Sequence, residues 1–305
     1  MADVGDRGQI ILVIGLVLAV MFVALSLVLN TAIFTENLAT RSNDGAADSA
    51  IEYHHDAIAS TQDAIEYANA NDNADYPTLE ASVEKSVRDY NNLSSIHNAR
   101  NGKVTDAVVT SHTRGIQVEQ RASSTLTNRT GTASWTLATD AEGVRNFRMN
   151  VNPESTSCTQ FSDCFYVELE DASGDTWRMN VEEDGSGNVE VAVENATGTY
   201  TCSTTSATAW INVTAGTVGG QPCDALQFGQ GLSPDYDVRF VNGDQTVGTY
   251  ELVIGSNSFD SAQYGSTDSE PDYEDAIYAT TIDITYKHPD LTYSNTVEVV
   301  PEESA

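Results

Sequence analysis

The sequence predicts an α+β protein: an N-terminal transmembrane helix continuing into a helical hairpin, followed by an antiparallel β-sandwich. Three observations carry that expectation. Twenty residues from Ile10 to Leu29 hold no charge, apolar residues recur at helical spacing between 44 and 98, and from Lys103 to Val300 the period falls to two. The division that follows is a short cytoplasmic leader at 1–8, a membrane helix at 9–34, an extracellular helical hairpin or stalk at 35–100, an extracellular β-sandwich at 101–300 and a tail at 301–305.

The first element is set by length. At 1.5 Å per residue, about 20 apolar residues cross the roughly 30 Å hydrocarbon core of a bilayer. Residues 10–29 therefore predict the lipid bilayer as a partner, with the N-terminus in the cytoplasm. A cleaved secretory signal fits less well, because its apolar region runs only about 7–15 residues and ends in an A-x-A-like site.

The next element keeps helical spacing. Ile51, Ile58 and Ile65 recur every seventh residue, with Ala50, Ala57 and Ala64 beside them, a stripe that marks one helix face. The run Asn71-Asp72-Asn73-Ala74-Asp75 consists mostly of poor helix formers. Pro77 then suits the start of a second helix, where its missing N–H has no partner to lose. Leu79, Val83, Val87, Tyr90 and Leu93 give that helix its apolar face. The pattern favours packing within the chain, while the membrane helix and the 44–70 helix are the surfaces open to protein partners.

Beyond Lys103, apolar and polar residues alternate. Ile116-Val118-Gln120, 165–170, 189–194, 236–240, 250–254, 282–286 and 296–300 all show it, separated by Gly, Asn, Asp and Ser. Such segments read as half-buried antiparallel strands. Phe147-Arg148-Met149-Asn150-Val151 and Trp177-Arg178-Met179-Asn180-Val181 are near copies, candidates for equivalent strands of a short duplication.

Cys158, Cys164, Cys202 and Cys223 lack the tight pairs of a zinc site. Nearest-neighbour closure predicts the disulfides Cys158–Cys164 and Cys202–Cys223, which require an oxidising compartment and so place the body outside. The chain has 45 acidic and 14 basic residues, a net charge of −31. That excludes nucleic acid as a partner, since phosphate backbones would repel it.

No catalytic constellation is present, and no cofactor is implied. His54, His55, His97, His112 and His288 show no metal-ligand spacing, and no nucleophile elbow, phosphate loop or dinucleotide fingerprint occurs. Asp268, Glu270, Asp272, Glu274 and Asp275 form the one carboxylate cluster with calcium-like chemistry, although clusters are expected in so acidic a chain. Asn92, Asn128, Asn195 and Asn212 head N-x-S/T tripeptides, candidate glycosylation sites at the frequency chance supplies.

Asp6-Arg7-Gly8-Gln9, directly ahead of the apolar run, resembles the leader of archaeal type IV prepilins. That resemblance implies processing between Gly8 and Gln9, with the apolar helix retained as anchor and assembly core. Major pilins usually carry Glu at the fifth mature position; here it is Val13, which leaves a minor-pilin-like or an uncleaved anchor role open. Arg7-Gly8-Gln9, the run from Leu29 through Phe34 to Arg41 and the acidic body with three lysines are also similar to single-pass surface proteins of halophilic archaea. The expectation is a non-enzymatic, membrane-anchored surface protein, minor-pilin-like in its sharper form; the alternative is a membrane-tethered ligand-binding domain or enzyme.

Overall fold

The computed structural model of the chain describes residues 45–153 and 161–301, with six helical residues between Leu18 and Ser26. Gly8, Gln9, Cys158, most of the predicted membrane helix and the residues after Pro301 lie outside the described residues. Among the described residues no helix is long and apolar enough to cross a membrane.

Residues 45–71 form α1 and Tyr76–Ala99 form α2. Asp75 caps α2: its backbone is extended and its Oδ1 accepts the Thr78 N–H at 2.8 Å, with Pro77 in the first turn. The two helices run antiparallel, with Tyr53 stacked on Tyr90. Ala50, Ala57, Ala64 and Ala68 are buried. The isoleucine row instead rotates out of the interface, from buried Ile65 through half-buried Ile58 to Ile51, which is 57% exposed. A seven-residue repeat slips about 20° per repeat on a 3.6-residue helix, which accounts for that rotation. Leu93 also departs from the expected face, with 73% of its surface exposed, while Leu79, Val83 and Val87 are buried.

The strands are β1 (Val104–Thr125), β2 (Trp135–Ala141), β3 (Val144–Pro153), β4 (Tyr166–Asp171), β5 (Thr176–Glu183), β6 (Val189–Asn195) and β7 (Gly198–Ser203). They continue as β8 (Ala209–Asn212), β9 (Thr217–Val218), β10 (Gln221–Pro222), β11 (Tyr236–Val241), β12 (Thr246–Ile254), β13 (Asp272–His288) and β14 (Leu291–Val299). An eight-stranded sheet runs β10-β9-β8-β3-β12-β1-β13-β14, and a six-stranded sheet runs β2-β11-β4-β5-β6-β7. All pairings are antiparallel, as the period-two pattern expects.

The two sheets enclose an aromatic core. Phe240 meets Trp135, Phe165 and Tyr250 at centroid distances of 5.9, 5.5 and 4.9 Å, and Trp177 packs on Phe228 at 5.2 Å. The near-copy strands β3 and β5 lie in opposite sheets and send Phe147, Met149 and Val151, and Trp177, Met179 and Val181, into the same core.

β1 and β13 are longer than the sandwich. β12 pairs with β1 only from Ile116 onward, whereas β13 follows β1 back to Val104, and β14 pairs with β13 from Thr280 to His288. A three-stranded extension of β1, β13 and β14 therefore projects from the sandwich. The helices cover one of its faces: Ala50, Tyr53 and Ala57 pack with Ile282, Ile284 and Tyr286, and Ala64, Leu79 and Val83 with Ile277. Gly115 stands where the extension leaves the sandwich. A Cβ there would collide with the Ile254 carbonyl oxygen, so only glycine lets the two backbones approach so closely.

Candidate functional site

A polar hollow lies where α1 meets the root of the extension. It holds about 370 Å³ and is lined by Glu66, Asn69 and Asn73 from α1 and the turn after it, by Gln117, Glu119 and Arg121 from β1, and by Arg145 and Glu274. Strand geometry explains the convergence. Gln117 faces Glu274 and Glu119 faces Asp272 across the β1–β13 ladder, and side chains two apart share a face.

Asn69 fixes α1 over this point. Its Nδ2 donates to the Ile277 carbonyl at 3.0 Å and its Oδ1 accepts the Ile277 N–H at 2.8 Å, beside an irregularity of the β1–β13 register. Buried Arg145 donates to the same carbonyl at 3.2 Å. Arg121 pairs with Glu119, and Asn73 donates to Glu274. Burial pushes the Glu119 carboxyl above its ordinary value; Arg121 opposes this, and Glu274 and Asp272 reinforce it. The site offers carboxylates, guanidinium groups and amides to a small polar ligand.

The predicted residues fall unevenly. The Cys202–Cys223 disulfide is formed and joins β7, an edge of the six-stranded sheet, to the chain just past β10 at the far edge of the other sheet. Cys164 is also disulfide-bonded; its predicted partner Cys158 lies outside the described residues. The five acidic residues do not gather. Asp268 and Glu270 lie in the loop before β13, Glu274 points to the polar hollow, and Asp275 points to the other face, toward Tyr76 and Arg114. Among the described residues no group of three or more His, Cys, Asp or Glu is placed to hold a metal ion.

Of the four sequons, Asn92 is exposed and Asn195 and Asn212 are half-buried. Asn128 is buried, and its amide is already engaged: Oδ1 accepts the Thr130 and Thr132 N–H groups at 3.0 and 2.8 Å. Asn128 is a loop cap, because a sequon pattern cannot distinguish an Asx turn from an acceptor. The polar hollow itself escaped sequence reasoning. Its residues come from segments up to 208 positions apart, as the Asn69–Ile277 contact shows, and only the alternation around Gln117 and Glu119 hinted at a shared face.

These features define a class by architecture: an acidic α+β body with a disulfide-linked sandwich, a helix-covered sheet extension and a polar hollow between them. Comparison with protein-family models, with characterised proteins and with solved structures finds no match to this chain.

Proposed function

We propose that this is a non-enzymatic cell-surface protein, held in the membrane by residues 10–29 with its body outside. The observation that carries the reading is the uncharged run from Ile10 to Leu29. The helical residues Leu18, Met21, Phe22, Val23 and Leu25 are each about half exposed or more, and apolar surface left in water costs about 25 cal/mol per Å². A bilayer removes that cost. The Cys202–Cys223 disulfide supports an oxidising, external location.

The sharper form is a minor-pilin-like component of a surface filament or secretion apparatus, resting on Gly8-Gln9 and on an anchor helix shared with partners. An apolar hollow of about 420 Å³ between α1 and β14, lined by Ala47, Ala50, Ile51, His54, Leu291 and Tyr293, supports a protein partner on the 44–70 helix. The net charge of −31 suits molar salt, where the Debye length is about 3 Å and carboxylates hardly repel. The second reading, a tethered ligand-binding domain, rests on the polar hollow at Glu119.

Membrane fractionation tests the anchor. The full chain is expected to stay in the pellet through an alkaline carbonate wash, and a variant lacking residues 1–29 to be released. Release of the full chain by carbonate would defeat the proposal. Co-purification with a filament or secretion machine supports the pilin-like form, and its loss on blocking Gly8-Gln9 would tie that form to processing.

A further inference from the structure

One end of the extension is a free tip. There α2 ends at Ala99, β1 begins at Val104, β13 ends at His288 and β14 begins at Leu291. α1 starts beside them, where Lys103 Nζ donates to the Ser49 hydroxyl at 2.9 Å. At about 3.4 Å per residue, the run from Val104 to Gly115 holds the tip about 40 Å from the sandwich. Fifteen residues separate Gly45 at the tip from Leu29, an extended reach of at most about 50 Å. The tip is therefore the part of the body that the chain joins directly to residues 10–29.

The tip also gathers exposed apolar surface. Among the described residues beyond 18–26, eight large apolar side chains are exposed, and five of them lie in the outer half of the extension: Ile51, Leu93, Ile96, Val104 and Val108. Two of the five stand next to a cation. On α2, Ile96 and Arg100 are four apart and share a helix face. On the sheet, Val104 faces Lys287 across the β1–β13 ladder. Both point away from the helices, because their neighbours Thr105 and Tyr286 are the buried ones. Apolar groups beside lysine or arginine are what a surface needs to lie among anionic lipid headgroups.

Charge agrees with this. Residues 90–105 and 284–289 hold three basic side chains and no acidic one. Among the described residues, Arg100, Lys103 and Lys287 have no carboxylate within 4.0 Å, whereas Lys85, Arg88, Arg114 and Arg121 are each paired with one. The acids of the tip are Asp48 and Glu52 on α1 and Asp290, 3.6 Å from His288. That balance of three to three compares with 14 basic and 45 acidic residues in the chain. The acidic sandwich has little say, since in molar salt the Debye length is about 3 Å.

We propose that the tip of the extension rests on the anionic surface of the membrane, with Ile96 and Val104 among the lipid headgroups and Arg100, Lys103 and Lys287 on their phosphates. The inference rests on the anchor proposed above. A short tether sets an effective concentration in the millimolar range, so a weak surface suffices to hold the tip down. The extension then stands upright and carries the sandwich away from the bilayer.

The test uses the full chain in phosphatidylglycerol–phosphatidylcholine vesicles at molar KCl, with a spin label on the lipid headgroups as a contact quencher. Asn101→Trp puts a fluorophore in the exposed loop after α2, and the wild type supplies the background, because Trp135, Trp177 and Trp210 all belong to the sandwich. The emission added by Asn101→Trp should be quenched at least about twofold, and the background should not change. Adding Arg100→Glu and Lys287→Glu, both exposed positions, should remove about half of that quenching or more, with thermal unfolding and retention through a carbonate wash unchanged. An unquenched Asn101→Trp chain that survives the wash overturns the inference and leaves the anchor standing. Equal quenching after charge reversal overturns the assignment of the cations to lipid phosphates. Release of the full chain by the wash defeats the anchor and this inference together.

Discussion

The sandwich and the extension bury their sheets by different means. In the sandwich, two sheets meet over Trp135, Phe165, Trp177 and Phe240, and large aromatics fill the space. In the extension, a sheet meets helices through Ala50, Ala57, Ala64 and Ala68, so the layers approach closely but bury little volume per residue. Amide side chains fix position there: Asn69 holds Ile277 and Asn91 holds Ala107. The sandwich therefore draws stability from apolar volume, and the extension draws position from hydrogen bonds between side chains and strand backbone. Three strands under two helices also leave β1 without a strand on one side between Val104 and Gly115.

The largest expected effect lies in the sandwich. Trp177→Ala removes a fully buried ring packed on Phe228 and should cost about 3–5 kcal/mol, read from denaturant unfolding. A loss confined to the six-stranded sheet, with the extension still folded, would split the molecule into two cooperative units. Next is reduction of Cys202–Cys223, which closes a loop with a sequence separation of 21 and joins the two sheets. Its loss should lower stability by about 3 kcal/mol by the chain-entropy estimate, measured with and without reductant.

Asn69→Ala removes two hydrogen bonds to the Ile277 backbone and should cost about 1–3 kcal/mol. The contrast between the regions sharpens here. Amide exchange should accelerate in α1 and at Ile277 and stay unchanged in β4, β5 and β6. The smallest effect concerns Glu119. Burial raises its carboxyl in the folded state, so folding favours the protonated form. Its stabilising contribution is complete below the ordinary carboxylate value and is lost as pH rises through the raised one. Glu119→Gln should flatten that part of the pH–stability profile and leave stability at pH 7 equal or slightly higher, by thermal unfolding across pH.

Much of this architecture was legible because it is local. Asp75 and Pro77 mark the start of α2, and alternation marks β4, β6, β11 and β12 by residue type alone. The extension was not legible: nothing in the alternation of β1 says that β12 stops at Ile116. The isoleucine repeat suggested one stripe, yet helical drift buries Ile65 and exposes Ile51. The acidic run at 268–275 looked like one site, and strand alternation divides it, with Glu274 and Asp275 on opposite faces. Asn128 and Asn92 share a tripeptide pattern but differ in burial, a tertiary property that spacing does not carry.

The most direct test of the central claim, a body held outside the cell by a retained apolar helix, is the mass of the protein from native membranes, alkylated without reductant. The account predicts a chain that keeps residues 10–29, begins at Gln9 if it is processed as a prepilin, and carries no alkylated cysteine. A chain that begins after Leu29, or one with four alkylated thiols, would contradict it.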